Sequence, residues 1–294
     1  MNKPKHPLLL RIIYFLAKRN FLSFLSDSVY LKTIFYLHRG EKLDLHAPKT
    51  FSQKIQWLKI NIKDPKLHIF VDKFLVRDYI KSMINDDILI PLLGIYNNID
   101  DIDFNNLPNQ FVLKTTHGSS QNIICKDKKN LDIIKVKAKF RKWEKVCLYK
   151  IFKEWAYKDV EPRIICEKFI GLNNNVPNDY KFYCFNGKIG FIQVNKERFS
   201  DNHTETFFNE DWEILDFNYG VEQSTSMIQK PENLLEMKAI VRTLAKEHKF
   251  IRVDLYNVNN KIYFGELTFY PASGLELMNP ESLERTFGDM LDLS

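Results

Sequence analysis

The sequence has few of the residues that form disulfide frameworks or structural metal sites. It contains four cysteines in 294 residues, at positions 125, 147, 166 and 184, and three of them fall inside predicted strands. Cysteines this far apart indicate buried thiols in a reducing compartment rather than a disulfide framework. The seven histidines show no HxxxH or other ligand spacing. The sequence therefore predicts no zinc site.

Long apolar runs are also missing. The most apolar stretch lies within residues 1–40, where three leucines at 8–10 are followed by Arg11 and then by Lys18 and Arg19. It is far shorter than the roughly 20 residues that span a bilayer. No small-residue cleavage site follows it, so a secretory signal peptide is not expected.

The apolar spacing in this N-terminal arm predicts two helices, at about 8–19 and 28–38. Two placements are open. In one, the helices pack on the body of the protein. In the other, they lie in a membrane interface, where basic residues of the arm meet anionic lipid (Lys3, Lys5, Arg11, Lys18 and Arg19). A peripheral membrane contact through residues 1–40 is thus one of two expectations.

Neither sign of charge is scarce. The chain has 43 basic and 37 acidic residues, which gives a formal net charge of +6. This mild excess suits anionic partners such as ATP, acidic sugars or a membrane surface. No RNP, helix-turn-helix or zinc-finger pattern occurs, so nucleic acid is not an expected partner. The chain is 45% hydrophobic, with 23 Phe and 13 Tyr, and is long enough for two compact domains.

The most informative pattern is a predicted β-hairpin at residues 250–274. Two segments of alternating apolar residues flank an Asn-Asn turn at 259 and 260. Arg252, Asp254 and Glu266 interrupt these apolar strands. Arg252 and Asp254 lie two residues apart, hence on one face, and Glu266 can lie across from them. Two interpretations are open: a Mg²⁺–phosphate site, since carboxylates bind hard cations and Arg binds phosphate, or a structural salt bridge.

A second pattern, at residues 110–126, predicts a strand, a polar loop and another strand. Lys114 lies at the end of the first strand. The loop carries small or hydrogen-bonding residues (His117, Gly118, Ser119 and Ser120). Backbone N–H groups and hydroxyls in such a loop can bind phosphate oxygens, although an ordinary hairpin turn also explains them. The GxxxxGK[ST] spacing of a P-loop is absent.

Residues 163–187 predict two further strands. The first ends near Glu167, and the second carries Asp179 and Lys181 on one face with apolar residues on the other. The simplest interpretation of Asp179 and Lys181 is a solvated strand face. The aromatic residues that follow are typical of a core (Phe182, Phe185, Phe191 and Phe199).

The order of these patterns resembles the ATP-grasp fold: a strand lysine, a Gly/Ser loop, a hinge, then R-x-D and a downstream Glu on antiparallel strands. Seven runs resemble more closely the teichuronopeptide-biosynthesis (TupA-like) branch, found in bacterial cell-surface polysaccharide clusters. They extend from about residue 49 to 274: KTFSQKIQWLK, DKFLVRDYI, IPLLGIY, LPNQFVLKTTHGS, DYKFYCFNGK, FIRVDLY and KIYFGELTFYPASG. The resemblance implies an α+β, ATP-grasp fold, in which two lobes grip ATP, with an N-terminal helical arm.

The resemblance also implies how the nucleotide would be bound. Lys114 would bind its phosphates, and the loop from His117 to Ser120 would close over them. Residues 167–170 would form the hinge against adenine. There Glu167 would accept a hydrogen bond from the amino group, and the backbone of Lys168 and Ile170, on either side of Phe169, would contact the ring edge.

On the other lobe, the resemblance implies a phosphate and metal site. Arg252 would hold the γ-phosphate or acyl-phosphate oxygens, while Asp254 and Glu266 would ligate Mg²⁺. Other basic residues would reach phosphate or an acidic substrate (Lys73, Arg77 and Lys181). In the wider superfamily, Asn usually stands two residues after the last carboxylate and ligates a second metal ion. Here that position is Thr268, whose hydroxyl is a weaker ligand. The number of metal ions, one or two, is therefore left open.

The expected organisation has four parts. Residues 1–48 form the helical arm. Residues 49–110 form a pre-grasp region with helices at about 52–60 and 67–83. Residues 111–170 form a nucleotide-binding lobe with a basic helix at 131–149. Residues 171–294 form a C-terminal lobe with the metal and phosphate site and with helices at about 232–247 and 280–291.

The expected function is that of an ATP-dependent carboxylate–amine ligase that acts through an acyl-phosphate and modifies a bacterial cell-surface polysaccharide. Its partners would be ATP, an acidic sugar or lipid-linked glycan, and an amine, in the cytoplasm or at the inner face of its membrane. Two other classes remain open. One is a phosphotransferase or glycosyltransferase that uses the same cleft, and the other is a nucleotide-binding scaffold in which Thr268 marks lost catalysis.

Overall fold

The computed structural model describes residues 4–198, 200, 202–219 and 228–294. Within these ranges the fold is α+β, with antiparallel sheets of four, six and two strands, and residues of the two larger sheets together line a cleft. Of the residues considered above, Lys3 and Phe199 lie outside the described residues.

The α-helices in the described residues are α1 Pro7–Lys18, α2 Asp27–Arg39, α3 Phe51–Asn61, α4 Lys66–Val71, α5 Val76–Met83, α6 Ile133–Trp143, α7 Leu148–Phe152, α8 Leu234–Ala245 and α9 Ser282–Met290. They differ from the predicted helices at two places. The single helix predicted at 67–83 is wrong, because Asp72 accepts hydrogen bonds from the N–H groups of Phe74 and Leu75 and interrupts it. The helix predicted at 131–149 is also two helices, with an extended Cys147 before α7.

The smaller sheet is formed by β1 Leu92–Tyr96, β2 Phe111–Thr115, β3 Asn122–Cys125 and β4 Ile164–Lys168, in the order β1-β4-β2-β3. One face shares an apolar core with α6, including Leu113, Cys166 and Phe140. Because side chains alternate along a strand, Val112 and Lys114 project from the opposite face. Strand β1 pairs with β4, so the boundary predicted at residue 110 runs through this sheet.

The larger sheet carries the predicted hairpin. Its strands are β5 Asp179–Phe185, β6 Lys188–Lys196, β7 Thr204–Phe208, β8 Ile214–Leu215, β10 Phe250–Val258 and β11 Lys261–Thr268, in the order β11-β10-β5-β6-β7-β8; the short β9 Asn218–Tyr219 pairs with β12 Met278–Asn279. Asn259 and Asn260 have φ angles of 50° and 59°, as a two-residue hairpin turn of this kind requires. Helix α8 packs against β6 and β10.

The N-terminal arm packs on the body, which confirms one of its two expected placements. Leu10, Tyr30 and Phe35 of the arm share a buried cluster with Leu275 of the C-terminal lobe. Arg39, at the end of α2, is anchored through its Nη1 (to Ser52 Oγ, Glu276 O and Glu284 Oε1). The outer face of α1 stays exposed. Among the described residues, no helix combines the length and apolarity needed to cross a bilayer.

Candidate active site

The charged residues of the hairpin meet on one face of the larger sheet. Asp254 lies opposite Glu266, and Arg252 lies opposite Thr268. The guanidinium of Arg252 binds both carboxylate oxygens of Asp254 at 2.7 Å. Its Nη2 also lies 3.0 Å from Glu266 Oε1 and 3.1 Å from Thr268 Oγ1. The salt bridge expected as one interpretation is therefore present.

The same contacts test whether a metal ion fits. Oxygens of Asp254, Glu266 and Thr268 already surround a single point, the Nη2 atom of Arg252, at 2.7–3.1 Å. Carboxylate and hydroxyl oxygens are the donors that Mg²⁺ takes, at about 2.0–2.1 Å. The described residues contain no group of three or more His, Cys, Asp or Glu side chains arranged for a metal. The cluster supplies two carboxylates and one hydroxyl. This set of oxygens fits a single hard cation that takes its other ligands from phosphate or water.

Lys181 extends this cluster across β5. Its Nζ lies 2.5 Å from Asp254 Oδ2 and 2.8 Å from Asp179 Oδ2. Arg198 Nη1 lies 2.9 Å from the same Asp179 oxygen. Asp179 and Lys181 are only 2% and 3% exposed, so the solvated-face interpretation is wrong. They are buried because each meets an opposite charge on a neighbouring strand or loop.

The surrounding cations keep Glu266 ionised. Burial alone would raise its pKa, but nearby positive charges, led by Lys73 and Arg252, hold the pKa of Glu266 well below its usual range. Lys73 Nζ lies 3.8 Å from Glu266 Oε2 and donates to the carbonyl of Gly118 at 2.6 Å. Lys73 therefore ties the loop of the smaller lobe to the acidic face of the larger one.

Lys114 faces this cluster from the smaller sheet. Its Nζ lies 2.7 Å from Glu167 Oε2. Arg77 contacts the other Glu167 oxygen at 3.3 Å and donates to the carbonyl of Ile90 at 2.9 Å. Glu167 thus positions a lysine at the cleft, while the contacts of Arg77 are with the hinge rather than with the acidic cluster. The adenine contact of Glu167 stays a prediction.

Side chains of the loop between β2 and β3 point in different directions. The His117 side chain is buried beneath the loop, where its Nε2 lies 3.2 Å from the carbonyl of Trp143. A Cβ on Gly118 would lie 2.0 Å from Gln121 Oε1, so a larger residue there would displace the Gln121 side chain. Ser120 lines the cleft, and Ser119 lines a larger cavity beside it. The two serines, rather than the imidazole, therefore border the open spaces.

The hinge borders an apolar slot. Glu167, Lys168, Phe169 and Ile170 form one wall, with apolar residues from both lobes around them (Ile90, Val112, Ile124, Val176, Pro177 and Tyr256). The N–H of Lys168 donates to the carbonyl of Pro91 at 2.9 Å. Any contact of this residue with a ring edge would therefore use its carbonyl, and the expected contact through Ile170 stays a prediction.

Three spaces follow one another along the cleft. The apolar slot shares Lys114, Asn122 and Tyr256 with a polar channel, which is lined by cations from both lobes (Lys73, Lys114 and Arg198). The channel shares Glu266 with a cavity of about 510 Å³ on the other side of Arg252. An apolar slot, a channel lined by charged residues and a cavity in this order suit a nucleotide beside a second substrate.

Comparison with known proteins identifies the family of the chain. The sequence profile described as TupA-like ATP-grasp matches residues 53–292. The chain belongs to the TupA-like ATP-grasp family. Its fold is accordingly the ATP-grasp fold. The match begins after α2, so the packed N-terminal arm lies outside the part of the chain that the family profile covers.

Similar solved structures include other ATP-grasp proteins. The D-alanine–D-alanine ligase of Helicobacter pylori is 14% identical, with 70% of this chain and 53% of that chain covered and a TM-score of 0.39. The corresponding ligase of Bacillus anthracis, in complex with ATP, is 16% identical, with 76% and 65% covered and a TM-score of 0.42. This chain thus spans about half to two thirds of their lengths. The comparison with curated proteins finds no significant match.

In this ATP-grasp protein, several site residues carried no sequence signal. Arg198 follows a strand within a loop whose pattern predicts nothing. The cavity draws its walls from distant segments, including His38 of the arm, Glu154 and Tyr270. The alternation of apolar and charged residues predicted the hairpin, but no such sequence pattern marks residues that meet only through packing. The buried Lys59 could have been noticed as a charged residue within an apolar helix pattern.

Proposed function

We propose that this protein is an ATP-dependent carboxylate–amine ligase that acts through an acyl-phosphate and modifies a bacterial cell-surface polysaccharide with an amide-linked group. The observation that carries the proposal is the line of slot, cationic channel and cavity, with Arg252 and Glu266 at the last junction. The polysaccharide context is supported by the resemblance of the chain to proteins of surface-glycan clusters.

The nucleotide would occupy the first two spaces. Adenine would lie in the apolar slot against the hinge, and the phosphates would lie between Lys114 of one lobe and the acidic face of the other. Mg²⁺, held by Asp254, Glu266 and Thr268, would neutralise charge on the phosphates when bound. For that, Arg252 would turn from these oxygens toward the γ-phosphate, for which its planar guanidinium is suited.

The chemistry joins two anions in its first step. A substrate carboxylate oxygen attacks the γ-phosphorus, the bond to the β-phosphate oxygen breaks, and ADP leaves. An amine then attacks the acyl carbon, its proton is lost, and phosphate leaves as the amide forms. Lys114, Lys73 and Arg252 would reduce the repulsion in the first step. Ser119 and Ser120 lie on the loop that would exclude water from the acyl-phosphate.

The direct test is a product assay with full-length protein, MgATP, a uronic acid and an amino-acid mixture. Release of ADP and phosphate that requires both added substrates supports ligation. ADP accompanied by a phosphorylated sugar would instead identify a phosphotransferase. In a parallel reaction with a sugar nucleotide in place of ATP, glycosyl transfer to the uronic acid would identify the second transferase alternative. MgATP binding without any product in either reaction would identify a scaffold.

We also propose that the arm contacts the inner face of an anionic membrane, where a lipid-linked glycan would be encountered. Residues 4–26 contain basic but no acidic side chains. Leu8, Phe15 and Phe24 are 69%, 52% and 78% exposed. An apolar surface flanked by cations suits adsorption to anionic lipid.

Flotation with vesicles tests the membrane contact on the full chain. Binding to vesicles containing phosphatidylglycerol, but not to pure phosphatidylcholine, is expected. The triple variant Leu8→Ser, Phe15→Ser, Phe24→Ser should lose it. Leu235→Ser, at a residue that is 77% exposed on α8, is the matched control. Equal flotation of all proteins, or none by the unaltered chain, would contradict the contact.

A further inference from the structure

The cavity beyond Arg252 is large and is closed partly by the arm. Its volume is about 510 Å³. Its walls are mostly apolar or aromatic, with contributions from Leu148, Phe152, Tyr157, Tyr270 and Leu277. His38 of α2 forms part of the wall, and its Nε2 is held by the hydroxyl of Tyr14 at 2.5 Å. A segment outside the family match therefore shapes a space next to the candidate phosphate site.

The charge on the walls has one predominant sign. Three carboxylates line the cavity, those of Glu154, Glu266 and Glu276, while Arg252 is the only lysine or arginine among the described lining residues. Arg252 is already paired with acids of the hairpin. Burial, followed by the nearby Lys59 and Arg39, lowers the pKa of His38 to about 4, so its ring is neutral near pH 7. The described part of the arm, from residue 4 onward, therefore adds no cation to the cavity.

Glu154 is the most buried of these carboxylates, at 6% exposed. Burial raises the pKa of its carboxyl, and the nearby charge of Lys59 and a hydrogen bond with the Ser273 side chain partly oppose that rise. Lys59 is held in turn by Ser273 Oγ and the Ser273 carbonyl, both at 2.8 Å, and by Gln56 Oε1 at 3.0 Å. Buried polar groups fixed on both sides form a rigid wall rather than a solvated rim.

An anionic substrate does not suit this lining. A carboxylate or phosphate placed in the cavity would face three acids, and among the described lining residues only Arg252 would offset them. An ammonium group would gain charge-assisted hydrogen bonds, and an apolar body would bury surface against the aromatic walls. Polar groups placed at few points in an apolar cavity are the usual arrangement for orienting a small ligand.

We infer that this cavity binds the amine co-substrate as a primary ammonium carried on an apolar or aromatic body, with Glu154 and Glu276 as its anchoring carboxylates and the arm as one wall. The bound ammonium gives one proton to an anchoring carboxylate, and the neutral amine nitrogen then attacks the acyl carbon. This inference rests on the proposed ligase function, to which it adds the chemical class of the acceptor. The carboxylate substrate would then enter on the channel side of Arg252, where Lys73 and Lys114 lie.

Binding titrations with three matched probes test the inference without turnover. The probes are 2-phenylethylamine, 2-phenylethanol and 3-phenylpropionate, which share a ring and have similar length but differ in charge. With the full chain near pH 7, the amine should bind at least about tenfold more tightly than the alcohol, as one charge-assisted hydrogen bond provides. The propionate should bind most weakly. Equal or tighter binding of the propionate would overturn the inference.

Variants locate the site. Glu154→Gln and Glu276→Gln should each weaken amine binding by about tenfold and leave the alcohol within about twofold. Glu276→Gln keeps the test valid if loss of the partner of buried Lys59 unfolds the first variant. Glu161→Gln, on an exposed residue that is not part of the cavity lining, is the control. Ala272→Trp, at an exposed rim position, should block all three probes. Unchanged amine affinity in both glutamate variants would place the probe elsewhere and refute the assignment.

A parallel titration with MgATP separates two kinds of failure. Bound MgATP without a preference for the amine would refute the acceptor site and leave the ligase proposal standing. An amine preference without MgATP binding would refute the ligase proposal, and with it the role of the bound amine as a co-substrate.

Discussion

The hairpin and the cavity beside it are assembled in opposite ways. The acidic and basic groups of the hairpin come from residues 252–268, and strand register alone sets them opposite one another. The cavity draws its walls from the arm, from residues 148–157 and from residues 270–277, which meet only when helices and loops pack. Side chains that strand register brings together can be predicted from the alternation of residues along the strands. Side chains that meet only through packing of distant segments cannot be predicted in this way.

The largest expected effect is on the hairpin side. Asp254→Asn keeps the shape of the side chain but removes the charge that Arg252 and Lys181 share. We expect the rate of ATP turnover to fall by about a thousandfold, the upper range for loss of one preorganised electrostatic group. Steady-state ADP release measures it, with Asp211→Asn, on an exposed turn, as the control. Normal turnover in Asp254→Asn would remove the proposed site.

The second prediction concerns the packing that closes the cavity. Side chains of Arg39 and Glu284 are 1% and 2% exposed and lie 3.0 Å apart. Arg39→Met leaves a buried carboxylate without its cation, so the free energy of unfolding should fall by about 3–5 kcal/mol. Urea denaturation measures this loss.

A matched exposed pair sharpens the result. Arg285 and Asp289, whose side chains are 56% and 60% exposed, form an ion pair on α9. Arg285→Met should change the free energy of unfolding by less than about 1 kcal/mol. The double variant Arg39→Met, Glu284→Met should recover stability relative to Arg39→Met alone. Similar losses for Arg39→Met and Arg285→Met would show that the arm is not anchored through this pair.

Much of the fold could be predicted because its signals are local. The Asn-Asn turn, the alternation in β10 and β11, and the two helices of the arm all follow from residue order. The interruption between α4 and α5 was missed because it depends on the side chain of Asp72, which also accepts a hydrogen bond at 2.9 Å from Nη2 of Arg163, the residue just before β4.

In the candidate site, too, the residues placed by strand alternation were predicted and the contacts made through packing were missed. Arg252, Asp254, Glu266 and Thr268 lie together as alternation predicts. The burial of Lys181 was missed because its two acidic partners come from its own strand and from β10. His117 resembles a loop ligand in sequence, yet its side chain packs against α6 because the loop turns inward there.

The third prediction tests the lysine that faces the hairpin across the cleft. Lys114→Met keeps the aliphatic stem but removes the ammonium that lies 2.7 Å from Glu167. The rate of ATP turnover should fall by about a hundredfold, because one positive charge opposite the phosphates is lost. Lys126→Met, at an exposed position after β3, should retain full activity. A Lys114→Met enzyme with unaltered nucleotide affinity and turnover would place the phosphates elsewhere.

The smallest expected effect is at Thr268. Thr268→Val is nearly isosteric and removes only the hydroxyl, which is 3.1 Å from Arg252 Nη2. The Mg²⁺ concentration for half-maximal activity should rise by about tenfold, because one oxygen ligand is lost. Thr268→Asn, which restores an amide oxygen, should shift it the other way. An unchanged Mg²⁺ dependence in both variants would exclude Thr268 as a ligand.

Calorimetric titration of the full-length protein with MgATP tests most directly whether the two lobes enclose a nucleotide. The account predicts saturable binding with a dissociation constant below the millimolar range, weakened by Lys114→Met and unaffected by Lys126→Met. An absence of any binding heat at millimolar MgATP, with the protein shown to be folded, would contradict it.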